Sequence, residues 1–138
     1  MAKAIGHTGA IPKDARVASW LKRPEDSRFV KLSDLMLCRF LDGLIIEKRG
    51  MRDDGQIPEP LEVLSNNEIL RKLRIALDLR DGDMNAIFEM AEFVVSKAEL
   101  GAFFRKEGHR HYRKCPEQVL RKFIVGLGKK RLPERQNR

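Results

Sequence analysis

The chain has 138 residues, 42% hydrophobic and 35% charged, with a net charge of +8. That size and balance fit one compact domain, or two small ones, beneath a densely charged surface. No apolar run approaches the roughly 20 residues needed to cross a bilayer. The N-terminal MAKAIGHTGAIPKDAR lacks an apolar signal-peptide core of about 7–15 residues, and two cysteines, Cys38 and Cys115, are too few for a disulfide scaffold. A reduced, cytoplasmic protein with no membrane partner is expected.

In chain order, Lys13–Lys22 reads as a helix with Ile11, Val17, Trp20 and Leu21 inward. Ser33–Lys48 reads as the next, with Ser33 as N-cap and Leu37, Phe40, Leu41, Leu44 and Ile45 as its core stripe. Residues 49–64 hold Gly50, Gly55, Pro58 and Pro60 among charges and read as a linker. After Ser65-Asn66, a broadly apolar helix runs through Leu79, and Asp81 and Asp83 open a shorter one to Ala91. Ser96-Lys97-Ala98-Glu99 is a capping box that starts a helix to Lys106. Pro116 opens the last helix, which runs to Leu127; Gly128 ends it, and the basic remainder, residues 128–138, is expected to be disordered. No segment longer than four residues alternates cleanly with β-branched residues. The expected fold is all-α, with about seven helices.

Charge is unevenly spread. From Arg105 to Arg138, 12 basic residues stand against Glu107, Glu117 and Glu134, so the first 104 residues sum to −1. A near-neutral body with a basic end suits a phosphate backbone or another acidic surface.

The chain also matches itself at an offset of 83 residues. Ile11–Leu44 and Val94–Leu127 align without a gap, sharing Ala15/Ala98, Lys31/Lys114, Leu37/Leu120, Phe40/Phe123, Gly43/Gly126 and Leu44/Leu127. Conservative pairs include Trp20/Phe103, Phe29/Tyr112, Met36/Val119 and Leu41/Ile124. Repeated apolar positions imply the same buried faces twice, a tandem duplication. Residues 1–48 then form a first helical repeat, 49–64 a linker and 65–127 a second, complete repeat. Because Met1 falls opposite Met84, Asn67–Leu79 has no counterpart in the first copy, which reads as truncated or as starting upstream of Met1.

Three stretches, FLDGLIIEKRG (Phe40–Gly50), NNEILRKLRIALDLRDGDM (Asn66–Met84) and FFRKEGHRHYRKC (Phe103–Cys115), resemble the bacterial YehS family. The resemblance spans Ala15 to Leu127 and implies a tandem duplicated helical domain, with no catalytic residues to carry over. The family's first copy normally begins with a segment like Asn67–Leu79, which this chain lacks.

Several motifs bear on chemistry. Met84–Ala91 and Ser96–Lys106 form a helix-turn-helix-like pair, with Ser96, Leu100 and Phe103 at the spacing of such readers. The outward residues Lys97, Glu99, Gly101 and Ala102 are nevertheless a poor set for reading base edges. His109, His111 and Cys115 are metal-capable, but the sequence offers no paired short spacing and only Cys38 as a soft fourth ligand, on a face read as incompletely buried. No metal or cofactor is therefore assigned. Tyr112 is read as a packing residue because Phe29 matches it, and Cys115 as a small buried group because Leu32 does. Asp78, Asp81, Asp83 and Glu89 are accounted for by helix capping and the helix dipole. With neither a glycine-rich phosphate loop nor a nucleophile–base set, an enzyme is not expected.

The leading expectation is a non-enzymatic nucleic-acid-associated module, with RNA or the ribosome ahead of duplex DNA. Arg105, Lys106, Arg110, Arg113, Lys114, Arg121 and Lys122 would contact phosphates, and Lys129, Lys130 and Arg131 would tether the tail. The alternatives are a protein-interaction adaptor or homo-oligomer, using the apolar face left bare by the missing first helix and marked by an exposed patch of Ile5, Val17, Leu41 and Ile45, and a helix-turn-helix DNA-binding regulator. Trp20, Leu37, Phe40, Leu44, Leu73, Leu77, Phe88, Leu100, Phe103, Leu120, Phe123 and Leu127 are expected to build one continuous core.

Overall fold

The computed structural model describes residues 2–8, 18–51, 53–57, 59 and 61–136, with only the backbone described for residue 2 and for 130–136. Among the described residues there is no strand, and the fold is all-α. Six helices are described from end to end: α1 (Ala2–Gly6), α2 (Asp34–Arg49), α3 (Asn66–Ala76), α4 (Asp81–Met90), α5 (Lys97–Phe103) and α6 (Glu117–Gln136). Residues 18–20 close a further helical stretch, whose expected earlier part, 13–17, lies outside the described residues.

Local chemistry explains most boundaries. Ser33 sits in extended conformation ahead of α2, and its hydroxyl accepts from the Met36 N–H at 3.2 Å. Ser96 does the same for α5 through Glu99 N–H at 3.1 Å. Each cap satisfies a donor that the first turn cannot use internally. Two stops come earlier than the sequence suggests. Helix α3 ends at Ala76, not Leu79, because Asp78 turns into the left-handed region (φ 52°) and Leu79 N–H bonds back to Arg74 O at 3.0 Å. Helix α5 ends at Phe103, not Lys106. There the Arg113 N–H reaches Ala102 O at 3.1 Å, so a returning loop takes up a carbonyl at the helix end. In the other direction, α6 continues through Gly128 to Gln136. Gly128 is not among the glycines of positive φ, and glycine inside a helix costs only about 1 kcal/mol against alanine.

The chain divides into two compact units, Met1–Ser65 with Ile75–Leu77, and Asn66–Arg74 with Asp78–Arg138. The residues expected in one core are thus shared between two units. In the second unit Leu70, Met84, Ile87, Phe88, Leu100, Phe103, Cys115, Leu120 and Phe123 are buried together, with Leu73 and Leu127 packed against them. The Phe88 and Phe123 rings lie 5.5 Å apart and tilted, a favourable aromatic geometry. In the first unit Trp20, Cys38 and Leu41 are buried, whereas Leu21, expected inward, is 72% exposed. Ile5 and Leu41, expected in an exposed apolar patch, are buried. Ile45 is half-buried, and Val17 lies outside the described residues.

Within each unit the same hydrogen bonds recur at a spacing of 83. Val30 N–H to Ser19 O is matched by Arg113 N–H to Ala102 O, both at 3.1 Å. Asp26 to Arg23 and Phe29 to Asp26 are matched by His109 to Lys106 and Tyr112 to His109, all at 2.9 Å. Packing recurs as well: α1 packs on α2, and α4 on α6. A Cβ added to Gly43 would land on the Ala4 carbonyl, and one added to Gly126 on the Ile87 carbonyl. Only glycine permits so close a backbone approach.

Candidate nucleic-acid interface

The second unit presents an open cleft of about 970 Å³ between α5 and the loop that follows it. Lys97, Arg105, Arg110, Arg113 and Lys114 line it, with His111, Asp81 and Glu99. Four of the ten cations assigned from sequence are brought together here. Two of the lining groups, Lys97 and His111, were not among those ten. Lys97 opens α5, and only the return of the loop to Ala102 brings residues 110–114 back beside that helix.

The loop is held by asparagines at the start of α3. Asn67 is buried; its Nδ2 donates to Phe103 O (3.1 Å) and Arg113 O (2.8 Å), while its Oδ1 accepts from Cys115 N–H (2.8 Å). Asn66 Nδ2 donates to Cys115 O at 3.1 Å, and Arg71 to Phe104 O at 3.1 Å. Buried backbone groups left unpaired would cost about 1–3 kcal/mol each, so this clamp fixes the path of the cationic segment. At the turn itself Gly108 takes φ 94°, a conformation side chains resist.

Inside the loop, His111 N–H donates to His109 Nδ1 at 3.0 Å, and Arg110 Nε donates to His111 Nε2 at 3.2 Å. Among the described residues, none of Lys97, Arg105, Arg110, Arg113 and Lys114 has a carboxylate partner within ion-pair distance. Asp81, by contrast, is engaged by Arg74 at 2.7 Å. The cleft thus presents five cations to solvent, against Glu99 and an Asp81 already paired.

The remaining assigned cations lie elsewhere. Lys106 is exposed on the loop but does not line the cleft. Arg121, on α6, is paired with Glu117 at 3.2 Å; Lys122 is half-buried on the same helix, and Lys129 is exposed on it. Lys130 and Arg131 continue α6, but their side chains lie outside the described residues. The acidic cluster divides into structural tasks: Asp83 Oδ2 accepts from the Arg80 N–H ahead of α4 at 2.9 Å, and Asp78 ends α3.

The thiols are internal. Cys115 is buried, and desolvation pushes it up from 9.0 to about 11. Cys38 is fully buried, against the expectation of a partly open face, because the chain returns over it: Leu61 N–H donates to its Sγ at 3.4 Å. His109 and His111 face solvent with rings 5.5 Å apart, away from the interior where Cys115 lies. Among the described residues no three His, Cys, Asp or Glu side chains converge as metal ligands, and no helix is long and apolar enough to cross a membrane.

The sequence matches the family described as "Protein of unknown function (DUF1456)" over residues 1–50 and 66–131. It is 38% identical over 124 residues to the "Uncharacterized protein YehS" of Escherichia coli (strain K12), a stretch covering 90% of this chain and 78% of that relative. No solved structure matches the chain.

Proposed function

The chain belongs to this family of proteins of unknown function, and we propose that it is a non-enzymatic, cytoplasmic nucleic-acid-associated module that binds phosphates through its second unit. The observation that carries this reading is the cleft, where five cations stand together without carboxylate partners among the described residues. A phosphate backbone supplies the missing counter-charge and releases its own counterions on binding, which is the main driving term for such contacts. We read the recurrence at 83 residues as a tandem duplication in which one copy became the binding copy.

RNA, or the ribosome, fits better than duplex DNA. Helix α5 has seven residues, and its exposed positions include Ala98, Glu99 and Gly101, which offer no guanidinium or amide to a base edge. Recognition is therefore electrostatic and tolerant of sequence. Lys106, Arg121, Lys122 and Lys129–Arg131 extend the positive field without forming the cleft.

Fluorescence-anisotropy titration of single-stranded RNA, structured RNA and duplex DNA at two salt concentrations tests the reading. With about four or five phosphates engaged, affinity falls roughly 100-fold between 50 and 200 mM salt. Arg110, Arg113 and Lys114 changed together to Ala abolish most binding, whereas Ala at Lys129–Arg131 weakens it modestly. No binding by the parent at low salt removes the proposal, and binding lost only in the tail variant reduces it to a nonspecific tether.

A further inference from the structure

The two units differ in how well equivalent apolar positions are covered. On α6 and in the loop before it, Cys115, Leu120 and Phe123 are buried, whereas Leu32, Leu37 and Phe40, 83 residues earlier, are only half-buried. Leu21 is exposed, while its counterpart Phe104 is half-buried, with the Arg74 guanidinium 4.6 Å from the centre of its ring. One element accounts for the difference. Leu70 of α3 is fully buried in the cluster that holds Cys115, Leu120 and Phe123, and Ile69 and Leu73 pack against that cluster. At a spacing of 83 these three positions have no counterpart within residues 1–65. Polar groups follow the same pattern. Asn67 satisfies Phe103 O, Arg113 O and Cys115 N–H. The matching Trp20 O, Val30 O and Leu32 N–H have no hydrogen-bond partner among the described residues.

We propose that this face of the first unit is a docking site for an amphipathic helix of another protein, seated against Trp20, Leu32, Leu37 and Phe40 as α3 is seated in the second unit. Such a helix opens with Asn, carries Leu or Ile three and six residues later, and has Arg at the fourth, a spacing that sets all of them on one side. The pattern is that of Asn67, Leu70, Arg71 and Leu73. The asparagine serves the three backbone groups, and the two aliphatic side chains cover the half-buried positions. The arginine reaches Leu21 O as Arg71 reaches Phe104 O, at 3.1 Å. A second copy of the chain is the poorer occupant. Each chain carries one α3 for two such faces, and its Asn67 and Leu70 are engaged in its own second unit. The site is separate from the cationic cleft, which none of Trp20, Leu21, Leu32, Leu37 and Phe40 lines.

The test is fluorescence polarisation of a labelled synthetic peptide of residues 65–79 (SNNEILRKLRIALDL) against the full chain. Binding in the range of about 10–100 μM is expected, because a short helix must be ordered as it docks. On the protein, Leu32→Glu and Leu21→Lys, the second opposing the arginines of the peptide, should each weaken binding about tenfold. On the peptide, Asn67→Ala should cost about tenfold by leaving three backbone groups without their partner, and Ser at both Leu70 and Leu73 should remove binding. Leu21→Lys should leave thermal unfolding unchanged because that side chain faces solvent; if Leu32→Glu perturbs folding, Leu21→Lys carries the reading. Failure of the parent to bind, undiminished binding by either altered peptide, or equal binding by both protein variants overturns the proposal. So does a parent dimer in sedimentation equilibrium that either variant dissociates, since the face would then serve a second copy.

Discussion

The loop after Trp20 and the loop after Phe103 follow the same backbone hydrogen bonds and differ in electrostatics. In the first, Asp26 accepts from the Arg28 N–H at 2.8 Å and also binds its guanidinium at 3.0 and 3.1 Å. That contact lowers the Asp26 carboxyl below its usual value and neutralises the cation. In the second, His109 stands where Asp26 does, and its Nδ1 accepts from the His111 N–H at 3.0 Å. The turn is kept while the negative charge is gone. Arg110 and Arg113 meanwhile occupy the places of Ser27 and Val30. A backbone scaffold can be held constant while three or four side chains convert a self-neutralised loop into one whose cations have no carboxylate partner among the described residues.

The comparison breaks most completely at the two glycines. Gly126→Ala should destabilise the second unit by about 3 kcal/mol or more, because the new methyl meets backbone that cannot rotate away. Gly43→Ala should do the same in the first unit, and equilibrium urea unfolding checks both. An alanine tolerated at either position would show that the two helix packings are not equivalent. Next in size is Asn67→Ala, which strands Phe103 O, Arg113 O and Cys115 N and should cost about 2–4 kcal/mol. The same change should blunt salt-dependent RNA binding, since the cations lose their frame. His109→Asp makes the second loop resemble the first and sharpens the electrostatic contrast. Binding should fall about three- to tenfold at low salt, with little change in stability, as one carboxylate joins the cationic field. Glu92→Gly is smaller and of opposite sign. Glu92 holds φ 55°, so glycine there should stabilise by about 0.5–1 kcal/mol in thermal unfolding.

Cys115 gives the mildest signature, and it depends on pH. Its folded value of about 11 exceeds the 9.0 of an unburied thiol. Its contribution is fully present below pH 9 and is lost as pH rises towards 11, because the unfolded chain ionises first. Urea unfolding between pH 8 and 10.5 should show stability falling with pH, and Cys115→Ala should flatten that slope.

Much of the fold is legible in local pattern. Ser33 and Ser96 announce their helices because a cap is chosen by the residue itself and the donors three positions on. Phe88, Leu100, Phe103 and Phe123 declare the second core by helical period alone. Helix ends are less legible, because α5 is closed by a loop residue, Arg113, and not by its own sequence. The continuation of α6 past Gly128 depends on a glycine that adopts helical angles where a stop was equally open to it. Of the site, the loop cations are visible as a charge run. The sequence gives little sign that Asn67 clamps them, since its partners lie 36 to 48 residues away. Likewise the glycine- and proline-rich stretch after Arg49, read as a linker, ends by docking on α2 and burying Leu64.

Helical class, caps, most of the apolar positions, the spacing of 83 and the basic bias of the last quarter depend on neighbours along the chain and are therefore written in its order of residues. Tertiary structure alone decided which cations share a cleft, which of two equivalent helix faces is covered, and which asparagine holds the loop. Those outcomes depend on contacts between residues far apart in sequence, where a hydrogen bond or a buried side chain leaves no periodic trace in the chain itself.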